Sequence, residues 1–180
     1  MKSKKRVVYY NMKGDLSYEH QLLKEWNIEN LELIQVNGNN IIKDIQDSDA
    51  LTLEYTNITA DILEKLPKLK IIALHSIGTN EIDIDSATEK GIYVTNSPGF
   101  CSYEVASHAM ALLLNLNRKI MTYNQSVKAG IWGSSADCSG LSQLRGKTCG
   151  LVSLGSIPQT MIPMLKGFGI NIVFYSRSKT

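Results

Sequence analysis

Ser153, Gly155 and Pro158 occupy the three fixed positions of a G-x-G-x-x-G fingerprint, of which only the middle glycine is kept. An apolar strand pattern from Cys149 to Leu154 precedes them, and a helix-length segment leads on to a second apolar run, Ile170 to Tyr175. Strand, glycine turn, helix and strand in that order set a pyrophosphate at a helix N-terminus, where unbonded amides and the helix dipole meet its charge. Gly155 lets the backbone come close to the phosphates, and with Ser156 and Ile157 it forms the expected contact with a dinucleotide, NAD or NADP. Two departures weaken that contact: Ser153 adds a side chain to the tight turn, and Pro158 adds a ring where helix and strand pack. Pro158 is tolerable in a first helical turn, whereas Pro163, about a turn deeper, removes a helix hydrogen bond at about 3 kcal/mol and predicts a kinked or shortened helix. Ser176 stands where an acidic residue would hold the ribose hydroxyls, and Arg177 follows it. An arginine there accepts a 2′-phosphate and favours NADP; the other reading is a solvated charge in a Ser-Arg-Ser-Lys tail.

These residues need elements to hold them. From Arg6 to Thr95, β-rich runs at 6–10, 31–36, 50–54, 70–75 and 92–95 alternate with helical stripes, which predicts a flavodoxin-like five-stranded parallel sheet. The stripes are Leu22, Leu23 and Trp26; Ile41, Ile42 and Ile45; and Ile62, Leu63 and Leu66, all expected in the core. Ligands of such sheets bind beyond the carboxyl ends of the strands, so the loops His75 to Asp83 and Asn96 to Phe100 are the places to look. Residues 102–119 predict one long helix with Ser102 as N-cap, so apolar on all sides that it must be buried between domains or in a dimer; His108 reads as a core histidine. Residues 130–140 read as a Gly- and Ser-rich arm carrying Ile131 and Trp132.

Composition narrows the class. With 43% hydrophobic and 20% charged residues the chain reads as globular, and no apolar run reaches the length of a membrane span. The basic start, Met1-Lys-Ser-Lys-Lys-Arg, precedes too short an apolar run for a signal peptide and reads as a solvated lead-in. A net charge of +2, without basic residues interleaved with aromatics, gives no footprint for nucleic acid. Cys101, Cys138 and Cys149 have neither a metal-ligand nor a disulfide spacing, and ordinary thiols in a reducing cytoplasm are expected.

Several segments then resemble a known family. Leu66-Pro-Lys-Leu-Lys-Ile-Ile, Ile77-Gly with Ile82-Asp, Ala87-Thr-Glu-Lys-Gly-Ile-Tyr-Val-Thr-Asn-Ser-Pro-Gly, Val105-Ala-Ser-His, Leu112-Leu-Leu-Asn-Leu-Asn-Arg-Lys, Gly130-Ile-Trp and Leu144-Arg-Gly-Lys-Thr-Cys-Gly all resemble the D-isomer-specific 2-hydroxyacid dehydrogenases. That group includes phosphoglycerate dehydrogenase, D-lactate dehydrogenase and the C-terminal-binding-protein corepressors. The resemblance implies NAD(P)-dependent hydride transfer at the 2-carbon of a small 2-hydroxy or 2-oxo acid, held in a cleft between two domains. It implies a substrate-binding domain over 1–100, the beginning of a Rossmann domain over 101–180, and a homodimer formed through the 102–119 helix. Amides of Ser76, Ile77 and Gly78 would grip the substrate carboxylate, as consecutive N–H groups beyond a strand end do for anions; the other reading of Gly78 is a residue that merely permits a tight turn.

Neither His75 nor His108 matches the family's catalytic histidine, and Ser107 replaces its usual acidic residue. The family's catalytic Arg, His and orienting carboxylate lie downstream of the second cofactor-domain strand and match nothing in this sequence, so no catalytic residue is assigned. The resemblance therefore implies a truncated oxidoreductase, inactive alone. The alternatives are a non-catalytic acid- or protein-binding paralogue and a degenerate fragment.

Overall fold

The computed structural model describes residues 4–137 and 139–177; Cys138, the lead-in residues 1–3 and the tail 178–180 lie outside the described residues. The chain forms two compact units, Met1–Pro98 and Gly99–Thr180.

In the first unit five parallel strands, β1 (Lys5–Tyr10), β2 (Leu31–Val36), β3 (Ala50–Leu53), β4 (Ile71–Leu74) and β5 (Tyr93–Thr95), stand in the order β2-β1-β3-β4-β5. The register aligns Ile34, Val8, Leu51, Ile72 and Val94 in one row across the sheet. Leu51, Thr52 and Leu53 are consecutive and all buried, as expected of a central strand covered on both faces. The Thr52 hydroxyl is satisfied by donating to the Ala73 carbonyl at 2.9 Å. Four helices make the crossovers: α1 (Ser17–Glu25), α2 (Ile41–Ile45), α3 (Ala60–Glu64) and α4 (Ile84–Glu89). Asn40 caps α2 and Asp83 caps α4, each accepting an amide of its first turn. Ile45, Leu63 and Leu66 join the core as expected, but α1 buries no residue and Trp26 is 65% exposed. Spacing reveals which side chains share a face, not whether anything covers that face.

In the second unit the long helix α5 runs from Ser102 to Arg118, and Lys119 at φ 52° turns the chain into α6 (Ile120–Lys128), which the sequence pattern did not separate. Two parallel strands, β6 (Thr148–Val152) and β7 (Asn171–Tyr175), joined by α7 (Ser156–Gly167), form a βαβ unit of the Rossmann kind. Ala106 and Met110 of α5 pack with Met161 and Leu165 of α7, Leu151 and Ile170.

Three expectations for this unit are corrected. Cys101, not Ser102, is the N-cap of α5, and its side chain makes no capping bond; Ser102 is already helical, with its hydroxyl 3.3 Å from that of Ser156. Only Ala106 and Met110 of α5 are buried, while Val105, His108, Leu112 and Leu116 are exposed, so His108 is not a core histidine. Helix α7 is not shortened by Pro163 but runs unbroken for 12 residues, held by Met161 and Leu165 on its buried side. Packing here overrides propensity.

Candidate functional site

Because every strand of the first sheet points the same way, the loops after β4 and β5 emerge at one edge. Hydrogen bonds join them. The Ser97 amide donates to the Ser76 carbonyl at 2.9 Å, and the Ser97 hydroxyl to the Leu74 carbonyl at 3.1 Å. Asn96 Nδ2 donates to the Ile77 carbonyl at 2.7 Å, and the Ser76 hydroxyl to the Gly78 carbonyl at 2.9 Å. The carbonyls of Ser76, Ile77 and Gly78 are thus all taken, while among the described residues no acceptor meets their amides. An exposed loop with its acceptors consumed and successive donors open is a receptor for an anion. Gly78 does not sit at positive φ, and a Cβ on it would meet only Asn80 Nδ2 at an ordinary 3.6 Å. The turn itself therefore does not demand glycine. His75 is exposed, with its ring edge-on to Tyr9 at 6.2 Å between centroids, and among the described residues it pairs with no carboxylate that would orient it as a general base. Sequence reasoning placed a ligand loop at Asn96 to Phe100 but gave Asn96 and Ser97 no role; the signal for one was that β4 and β5, adjacent in the chain, are also adjacent in the sheet.

The second candidate place is the turn between β6 and α7. Ser153 has φ 80°, the left-handed region that the first fingerprint glycine ordinarily fills, and its amide donates to the Tyr175 carbonyl at 2.7 Å. That bond brings the turn beside the end of β7, where Ser176 and Arg177 follow. Gly155 has φ −76° and ψ −168°, and a Cβ there would meet nothing within 4 Å. Open space over the backbone at a helix N-terminus is what an approaching pyrophosphate needs. Ser156 and Ile157 head α7, with amides that have no intrahelical acceptor, and the first helical bond runs from the Gln159 amide to the Gly155 carbonyl. Pro158 falls in this first turn, so its missing N–H removes one possible donor without breaking the helix. The Gln159 side chain fixes the turn by donating to the Leu154 carbonyl at 2.9 Å. These residues fit a dinucleotide pyrophosphate, with Ser153 strained and one donor missing. Arg177 is exposed and makes no ion pair among the described residues.

Comparison with known proteins bears on the family and the fold. Residues 8–178 match the model of the D-isomer specific 2-hydroxyacid dehydrogenase catalytic domain. Glyoxylate reductase from Thermococcus litoralis is 40% identical over 145 residues, covering 77% of this chain and 44% of that protein. D-3-phosphoglycerate dehydrogenase from Methanocaldococcus jannaschii is 39% identical over 136 residues, covering 75% of this chain and 26% of its own length. Among solved structures, an acyclic imino acid reductase in complex with NADPH and D-Arg superposes with a TM-score of 0.83 at 26% identity, over 97% of this chain and 57% of the other. D-lactate dehydrogenase from Aquifex aeolicus, complexed with NAD and lactic acid, has a TM-score of 0.81 at 23% identity, over 97% and 52%, a likeness of fold. The chain thus spans less than half the length of the curated relatives it matches.

Proposed function

The chain belongs to the D-isomer-specific 2-hydroxyacid dehydrogenase family, and on that premise we propose that it carries the acid-binding loop and the pyrophosphate turn of an NAD(P)-dependent oxidoreductase acting on the CH–OH group of small D-2-hydroxy acids. The observation that carries this reading is the 76–78 loop, whose carbonyls are all bonded while its amides stand open. A 2-hydroxy or 2-oxo carboxylate supplies the charge those amides lack. Gly155, Ser156 and Ile157 hold the dinucleotide, whose nicotinamide supplies or accepts the hydride. Arg177 meets a 2′-phosphate if the cofactor is NADP, a contact that NAD does not offer. The first unit is then the substrate domain and the second the beginning of the cofactor domain.

The activity of the whole family fold requires a proton donor and a charge to polarise the substrate carbonyl, and neither His75 nor His108 matches the position from which the family draws its catalytic histidine. Turnover by these 180 residues alone is therefore expected to be negligible. Among the described residues Cys101 and Cys149 are free thiols. No helix of the described residues is long and apolar enough to cross a membrane.

Isothermal titration with NADH and NADPH tests the cofactor half. Saturable binding supports the reading, and an affinity for NADPH at least tenfold above that for NADH assigns the 2′-phosphate to Arg177. No heat at millimolar cofactor sinks it. Titration with pyruvate tests the acid half in the same way.

A further inference from the structure

We infer that Asn96 is a positioning residue of the acid site: by holding the Ile77 carbonyl it aims the Gly78 amide at the ligand carboxylate, while Ser97 does the same for the Ile77 amide. This rests on the acid-binding reading of the 76–78 loop. Peptide planarity carries the argument, because the carbonyl of one residue and the N–H of the next share a plane and point in opposite directions. The Ser76 carbonyl is anchored by the Ser97 amide at 2.9 Å, so the Ile77 N–H is turned away from the β5 loop. The Ile77 carbonyl is anchored by Asn96 Nδ2 at 2.7 Å, so the Gly78 N–H is turned away with it. The Gly78 carbonyl is closed off by the Ser76 hydroxyl, which completes the set.

Without these donors each peptide plane is free to turn over, and an inverted 77–78 plane would present a carbonyl oxygen to an anion. Gly78 makes that inversion easy, since glycine adopts both signs of φ at little cost. Asn96 is itself exposed, so its side chain supports the loop rather than the core. The position calls for a donor with asparagine's reach. Aspartate has the same shape but, when ionised, accepts only, and it would repel both the Ile77 carbonyl and the ligand.

The test is a pyruvate titration followed in the 1H–15N spectrum of the wild-type chain and of Asn96→Ala and Asn96→Asp. In the wild type the Ile77 and Gly78 amide resonances shift saturably. In Asn96→Ala the Gly78 shift is lost and pyruvate binds at least tenfold more weakly, with the melting temperature and the bond from Ser97 to Ser76 retained; in Asn96→Asp no binding is seen. The Ile77 carbonyl carbon of Asn96→Ala, read without pyruvate, moves in the direction of a lost hydrogen bond. Variants that bind pyruvate like the wild type overturn the positioning role and leave the acid reading intact. A wild type whose 76–78 amides ignore pyruvate overturns both.

Discussion

Ser153 and Gly155 sit two residues apart and place opposite demands on one turn. Ser153 holds φ 80°, which costs a residue with a Cβ about 1 kcal/mol or more, so Ser153→Gly should stabilise the second unit by about 1 kcal/mol and raise its urea midpoint. A midpoint unchanged or lowered would show that the turn is unstrained. Gly155, by contrast, has a backbone any residue adopts and open space where a Cβ would stand. Gly155→Ala should therefore leave the melting temperature unchanged yet weaken NAD(P)H binding by tenfold or more, because the added methyl meets the cofactor and not the protein; equal cofactor affinity in the two proteins would refute that. The Gly-to-Ser change at 153 was legible in the sequence, since a fingerprint position names the backbone it needs. The open amides at 76–78 were not. They depend on Asn96 and Ser97 arriving from the next loop, a juxtaposition that only the order of strands creates.

Helix α7 shows the same contrast one level up. Pro163 lies inside it and withholds an N–H from the Gln159 carbonyl, yet the helix continues because Leu165 and Met161 are anchored against α5. Pro163 is exposed, so Pro163→Ala should restore the bond without disturbing the core and stabilise the unit by about 1–3 kcal/mol, read by urea unfolding. A destabilised variant would mean that the ring packs on something the helix needs. At the opposite end of the first sheet, Asp49 ties the starts of β1 and β3, accepting from Lys5 Nζ at 2.8 Å and from the Arg6 amide at 3.0 Å. The bonds from Lys5 and Arg6 lower its pKa below the ordinary 3.8. A depressed carboxyl stabilises the fold above its unfolded value and loses that contribution as pH falls through the folded one. Asp49→Asn should thus lose about 0.5–1 kcal/mol at pH 7, with the difference from wild type closing below pH ~4. The parallel sheet itself was legible from alternating runs and stripes. The N-cap at Cys101 and the break at Lys119 were not, because both are settled by backbone turns that leave no compositional mark in a run of helix formers.

For the molecule as a whole the unsettled balance is association. The face of α5 and α6 bearing Val105, Leu112, Leu116, Ile120 and Met121 is exposed, and so are Val152, Val173, Phe174 and Tyr175 on β6 and β7, which among the described residues pair with no third strand. Both surfaces exceed the scattered apolar exposure of an ordinary monomer, but they predict different assemblies. A helix face that meets its own copy makes a two-fold contact, which buries the same residues on both partners and closes at two chains. An open parallel strand pair adds chains edge to edge and has no closing number. If the helix face dominates, as the homodimer reading requires, light scattering gives twice the 20.0 kDa of one chain, and Leu112→Lys with Leu116→Lys returns a monomer while Val173→Lys does not. Polydisperse growth that Val173→Lys abolishes and the helix variants leave intact would move the interface to the strands, and the proposed homodimer through residues 102–119 would fall with it.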